Sequence, residues 1–239
     1  WVDLNPVGAA QSEALGVHGG QQAGRVMLTA IGAFHASLWT GTAASWVDLH
    51  PPGSNLGSSS AVYGVHSLQQ AGYAHQPGVS GYRSVASLWT GTAASWVNLH
   101  PPTIGGESIA FAVHNGQQVG TIFPGGGSGE HACIWSGSAA SFVDLHDFLP
   151  IPTGFGRSEA FGIWHDATHT YVVGYAIDAT GAKYAVMWVR SQTTTCYANC
   201  DGVGGLTGND FQCFLDAYVA GASYANCDGV GGLTGNDFQ

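Results

Sequence analysis

Aspartate and histidine recur at fixed places in this 239-residue chain. Asp48-Leu49-His50 and Asp144-Leu145-His146 are two copies of one segment; Asn98-Leu99-His100 carries an amide in place of the acid, and Asp3-Leu4-Asn5 an amide in place of the imidazole. Two positions apart on an extended chain, the acid and the His share a face, as two members of a Ser-His-Asp triad could. Asn98 removes the acid from one copy and no nucleophile recurs nearby, so turn-forming hydrogen bonds are the expected role. His18, His66 and His114 each close a short apolar run, and three converging imidazoles could hold a metal ion. Trp164 stands in the fourth such place and no carboxylate completes the set, which predicts repeated hairpin-end residues instead. Glu13, Glu107 and Glu159 also read as repeat equivalents, not as the paired carboxylates of a glycosidase. No glycine-rich loop follows a strand and opens a helix, so a phosphate cradle is not expected. These residues predict no catalytic set, and the chain is expected not to be an enzyme.

The elements that hold these residues repeat. Residues 36–52 read ASLWTGTAASWVDLHPP and residues 86–102 read ASLWTGTAASWVNLHPP; CIWSGSAASFVDLH at 133–146 is a weaker copy, and WVDLNP opens the chain. The anchor aromatics Trp1, Trp46, Trp96 and Phe142 lie 45, 50 and 46 residues apart, a period that marks a repeat architecture. Each repeat holds four short β-rich runs bounded by Gly, Ser and Pro; the first has Glu13–His18, Gln22–Leu28, His35–Thr40 and Trp46–His50. Asn115-Gly116 has the residues of a two-residue hairpin turn, with Gly19-Gly20 in the same place in the first repeat. Four antiparallel strands in some 45 residues make one β-propeller blade. The expected fold is therefore all-β, a propeller of about four four-stranded blades over residues 1–192, with repeats of 45–51 residues. Trp39, Trp89, Trp135 and Trp188 keep to the period and are expected to fill the space between blades. The fourth repeat has three runs and no WVDLH, while residues 1–6 hold just such a strand; that strand is expected to complete the last blade.

Composition narrows the partners. Five Lys and Arg against fifteen Asp and Glu, net charge −10, argue against nucleic acid and anionic lipid. With only 8% charged residues the surface must be made of Ser, Thr, Gly, Gln and His, which suits a protein outside the cell. No apolar run reaches the roughly 20 residues of a membrane helix, and no membrane insertion is expected. The start at Trp1, and not at Met, suggests that a leader or more precedes this sequence, and a longer protein with further blades upstream is the rival to a four-bladed one.

The repeats resemble the HAF-type repeats of bacterial extracellular proteins. The matching features are the A-x-G-V-H-x-x-Q-Q-x-G hairpin, His35-Ala36-Ser37 or His131-Ala132-Cys133, then L-W-x-G and W-V-D-L, over residues 1 to about 190. From Cys196 the composition changes, and residues 224–239 repeat residues 197–212 letter for letter. This unit, residues 193–239, resembles the small dockerin-like loop–helix modules of secreted planctomycete-type proteins, which are related to the EF-hand. The resemblance implies a calcium site whose ligands are Asn199, Asp201, the carbonyl of Val203 and Asp210, with a helix over Asp210–Ala220. Asn226, Asp228 and Asp237 repeat that set, and the tail is expected to continue past Gln239.

Four of the five cysteines lie in this tail. Cys200 and Cys213 fall in one unit and are expected to form a local disulfide, with Cys196 and Cys227 needing more distant partners; the flanking Asp and Asn prefer a hard cation to zinc. Disulfides imply an oxidising, extracellular or cell-surface location. Cys133 stands where Ser37 and Ser87 stand in other repeats and reads as a buried free thiol. Together these features predict a secreted, non-catalytic binding or structural propeller that attaches to a protein partner through a calcium-dependent C-terminal module. Two alternatives remain from sequence: a subunit of an extracellular filament assembled by strand donation, and a fragment of a polysaccharide-acting enzyme.

Overall fold

A computed structural model describes residues 1–54, 57–78, 81–126, 129–150, 154, 156–191 and 208–219. They form two compact units, Trp1–Trp164 with Tyr171–Trp188, and His165–Thr170 with Val189–Gln239. The fold is all-β and blade-like, with four antiparallel sheets in chain order. The first sheet holds β1 (Ala9–His18), β2 (Gln21–Leu28), β3 (Phe34–Trp39) and β4 (Val47–Asp48). The second holds β5 (Ser60–His66), β6 (Gln69–Gly78), β7 (Gly81–Trp89) and β8 (Val97–Asn98). The third holds β9 (Ser108–His114), β10 (Gln117–Ile122), β11 (His131–Trp135) and β12 (Val143–Asp144). The fourth holds β13 (Arg157–His165), β14 (His169–Ile177) and β15 (Lys183–Ser191). A helix, α1, runs over Gly208–Val219, two residues earlier at its start than the expected Asp210.

Each sheet is a meander built by the same devices. The first hairpin closes on left-handed residues, Gly19 and Gly20 in the first sheet and Asn115 and Gly116 in the third, as a two-residue turn requires. The first strand bulges between Ala14 and Gly16 and between Val62 and Gly64. Opposite each bulge the second strand carries a glycine, Gly24, Gly72, Gly120 or Gly174, where a Cβ would overlap the carbonyl oxygen of Glu13, Ala61, Ile109 or Glu159. The second Gln of the Gln-Gln pair fastens this hairpin to the next. Gln70, fully buried, donates from Nε2 to the Leu68 carbonyl (3.1 Å) and accepts at Oε1 from the Gly91 amide (2.8 Å). Gln22 and Gln118 repeat both bonds with Gly20 and Gly41, and with Gly116 and Gly137.

The core lies between sheets. Ala23, Ala36, Leu38 and Leu49 of the first repeat pack on Val62, Val65, Ala74 and Trp89 of the second. Ala71, Ala86, Leu88 and Leu99 pack in the same way on Val113 and Trp135 of the third. Trp39, Trp89 and Trp135 are wholly buried, filling the space between blades as their spacing predicts. Trp188 donates its indole N–H to the Leu145 carbonyl (2.9 Å).

Two expectations meet a different structure. The fourth strand of each blade is two residues long, because its turn begins at once. Residues 1–6 form no strand, and among the described residues the fourth sheet has three strands; the expected completion of the last blade by Trp1–Pro6 is absent from it.

Candidate functional site

The Asp-Leu-His segments are turns. Asp48 Oδ1 accepts from the His50 amide (2.8 Å), Asn98 Oδ1 from the His100 amide (2.8 Å), Asp144 Oδ1 from the His146 amide (2.9 Å) and Asp3 Oδ1 from the Asn5 amide (2.9 Å). The amide of Asn98 serves as well as a carboxylate, which explains why that substitution keeps the fold.

Each turn then binds the next repeat. The His50 ring nitrogen Nδ1 lies 2.9 Å from Ser60 Oγ, and the Ser60 hydroxyl oxygen accepts from the Ala36 amide at 2.9 Å. His100, Ser108 and the Ala86 amide repeat the arrangement, as do His146, Ser158 and the Ala132 amide. Ser60, Ser108 and Ser158 are fully buried, so the His–Ser contact is a latch between blades and not a nucleophile poised for substrate. Sequence reasoning missed the latch, although a Ser at the start of each first strand was its signal.

The second carboxylate oxygen explains a further substitution. Asp48 Oδ2 is 2.9 Å from Nδ1 of His35, whose ring stacks on His50 at 4.0 Å. Asp144 and His131 form the same pair at 2.7 Å, with His131 stacked on His146 at 4.1 Å. In the second repeat Val85 replaces the outer His and Asn98 replaces the acid, so across these three repeats the charge is present only where it has an outer imidazole to face. Burial alone would raise the Asp48 carboxyl; the His35 hydrogen bond, the His50 amide and the two imidazoles outweigh it and hold the carboxyl below its ordinary value. His100, buried and near Arg83, is instead pushed below the usual histidine value by its burial.

Cys133 is a free, buried thiol, as expected, and its neighbour accounts for it. Trp46 and Trp96 donate from Nε1 to Ser37 and Ser87 Oγ (2.9 Å each), whereas in the third repeat Phe142 replaces the indole and Cys133 the hydroxyl. Donor and acceptor are lost together. Burial, then the Asp144 charge, pushes the Cys133 thiol well above its ordinary value.

His18, His66 and His114 form a row across neighbouring first strands. The rings of His18 and His66 stack face to face at 4.2 Å, and those of His66 and His114 meet at 4.1 Å with their planes tilted by 43°. Stacked rings turn their nitrogens sideways and not to a common centre, and among the described residues no group of three or more His, Cys, Asp or Glu is placed to hold a metal ion. Burial and the neighbouring His114 and His18 lower the His66 value, so the central ring favours its neutral form. Trp164 takes the fourth place, 55% exposed and stacked near Tyr171.

A second row lies three residues before the first. Tyr63, Phe111 and Phe161 follow one another at 5.5 and 5.1 Å between ring centres, Tyr175 of β14 continues the row 5.6 Å from Phe161, and Phe161 and, at the start, Leu15 are exposed. The Lys183 ammonium sits 3.7 Å over the Tyr175 ring, and the Tyr175 hydroxyl donates to Glu159; burial and this carboxylate push its pKa to about 12. The two rows form a strip of aromatic and imidazole rings packed on one another across neighbouring strands. No sequence motif singled it out; only the alignment of Leu15, Tyr63, Phe111 and Phe161 could have found it.

The three glutamates are not all equivalents. Glu13 and Glu159 each follow the latch-position Ser, and their carbonyls face Gly24 and Gly174; Glu107 precedes Ser108, where it accepts from the Ser84 amide (3.4 Å). Glu13 instead pairs with Arg25 through both oxygens (3.0 and 3.1 Å).

Asn199, Asp201, Val203, Asn226, Asp228 and Asp237 lie outside the described residues, as do the side chain of Asp210 and the cysteines 196, 200 and 227. Cys213, on α1, is in a disulfide whose partner also lies outside them. No helix among the described residues is long and apolar enough to cross a membrane. No protein-family model matches the chain, and no curated protein is significantly similar to it.

Proposed function

We propose that this chain is a non-catalytic binding or structural propeller of the extracellular HAF-repeat type, held to a protein partner by a calcium-dependent, dockerin-like tail. The observation that carries the reading is where the polar motif residues are used. His50, His100 and His146, with their Asp or Asn and Ser partners, join blade to blade, and Gln22, Gln70 and Gln118 join hairpin to hairpin. The side chains with chemical potential are thus engaged in holding the scaffold. What the scaffold then offers a partner is the strip of rings along its first strands, a surface for contact rather than for bond breaking. In the tail, Asn199, Asp201, the Val203 carbonyl and Asp210 supply the hard oxygens that calcium takes, with Asn226, Asp228 and Asp237 repeating them.

Calorimetric titration of the chain with calcium tests the attachment half of this reading. We expect heat of binding with a dissociation constant in the range of about 0.1–1 mM that extracellular modules show. Asp201→Ala and Asp210→Ala should abolish the heat without unfolding the sheets. Absence of any heat at millimolar calcium contradicts it.

A further inference from the structure

The three latches share one geometry and differ in charge. His50 and His146 each stack on an outer imidazole, His35 and His131, and an aspartate, Asp48 or Asp144, faces that imidazole. A proton taken up by either stacked pair therefore has a carboxylate beside it. The seam between the second and third blades has neither group. Val85 stands in place of the outer imidazole and Asn98 in place of the acid, and His100 is only 5% exposed. The core of that seam is apolar, with Ala86, Leu88 and Leu99 packed on Val113 and Trp135.

Both ring nitrogens of His100 are committed to its neutral form. Nε2 lies 2.9 Å from the Ile104 carbonyl oxygen, which only accepts, so Nε2 carries the hydrogen. Nδ1 lies 2.8 Å from Ser108 Oγ and accepts from that hydroxyl, whose oxygen accepts in turn from the Ala86 amide at 2.8 Å. A second proton, on Nδ1, would meet the Ser108 hydroxyl hydrogen. The hydroxyl would have to turn away, and among the described residues its hydrogen has no other acceptor. The surrounding charges do not relieve this. Arg83 of β7 adds a like charge. Glu107, next to Ser108, accepts from the Ser84 amide, and its charge acts on His75 of β6. Burial outweighs the Ile104 hydrogen bond, which favours the cation, so His100 resists protonation in the folded chain.

We propose that this seam is an acid-sensitive joint: protonation of His100 opens the His100–Ser108–Ala86 latch and loosens the second blade from the third, while the latches at His50 and His146 hold. The direction follows from linkage. The unfolded chain takes up this proton near the ordinary value of 6.5 and the folded chain only at lower pH. The stability that His100 lends the seam is therefore full above that value and is lost as pH falls from it to the lower, folded one. This window lies above the one in which the Asp48 carboxyl titrates, so the two effects separate.

The reporter is the Ala86 amide, whose acceptor is Ser108 Oγ. The Ala36 and Ala132 amides, held by Ser60 and Ser158, are its internal controls. Amide hydrogen exchange of the whole chain is followed by NMR at neutral pH and again one to two units below the ordinary histidine value, with intrinsic rates divided out. We expect protection at Ala86 to fall by about tenfold relative to both controls, the factor that one pH unit supplies to one proton. His100→Asn removes the titrating ring but keeps an acceptor for the serine, as Asn5 does for Ser12 at 2.7 Å, and should abolish the fall. Val85→His combined with Asn98→Asp copies the first repeat and should abolish it with His100 in place. An equal fall at all three amides, no fall at Ala86, or a fall that survives in either variant overturns the proposal.

Discussion

Asp48 and Asn98 differ by one atom type, and the difference follows their neighbours. The carboxylate sits against His35 and His50; the amide sits where Val85 has replaced the outer imidazole. A pH dependence follows. The Asp48 carboxyl is lower in the folded chain than in the unfolded one, so its contribution to stability is present above the ordinary Asp value. It is lost as pH falls through the lowered, folded value. Asp48→Asn, which copies the second repeat, should leave stability near neutral pH little changed and flatten its fall in acid. Denaturant midpoints of both proteins across the acid range check this, and parallel curves would contradict it. At this scale the sequence was legible where a change is local. Asn98 for Asp48 signals a turn, and Cys133 for Ser37 a buried small side chain. The partners that make these changes tolerable, Val85 for His35 and Phe142 for Trp46, lie on other strands. They are visible only once the register is known.

Strands and hairpins were read from β-branched and aromatic runs between glycines, and the first three strands of each blade came out within a few residues. The fourth strand was overestimated, since WVDLH has strand residues but its Asp captures the amide two residues on and ends the ladder after two residues. The bulges left a clearer mark than any hydrophobic pattern, as a glycine in each second strand. Gly72 allows the Ala61 carbonyl to approach its Cα, and Gly72→Ala should therefore cost about 3 kcal/mol or more. Gly105 has open space where its Cβ would be, so Gly105→Ala should be close to neutral. Urea unfolding of the two variants makes the comparison; equal effects would show that the bulge can relax. In the fourth repeat Val172 stands where the other three carry the fastening Gln.

For the whole molecule, repetition made the blades legible from the period of Trp1, Trp46, Trp96 and Phe142, but not what joins them. The joining elements are single residues at strand ends, Ser60, Ser108 and Ser158, with no pattern of their own until the sheets are stacked. The account rests on one claim, that each blade is bound to the next by the same buried Ser–His–amide latch. The most direct measurement is denaturant unfolding of Ser12→Ala, Ser60→Ala, Ser108→Ala and Ser158→Ala in dilute protein. Loss of a buried hydroxyl that serves two partners should cost about 2–3 kcal/mol at each of the three internal junctions. Ser12→Ala should cost well under about 1 kcal/mol, because its hydroxyl meets only the exposed Asn5 among the described residues. Equal costs at all four serines would contradict the account, because among the described residues only the three internal serines accept from an Ala amide as well as meeting a His.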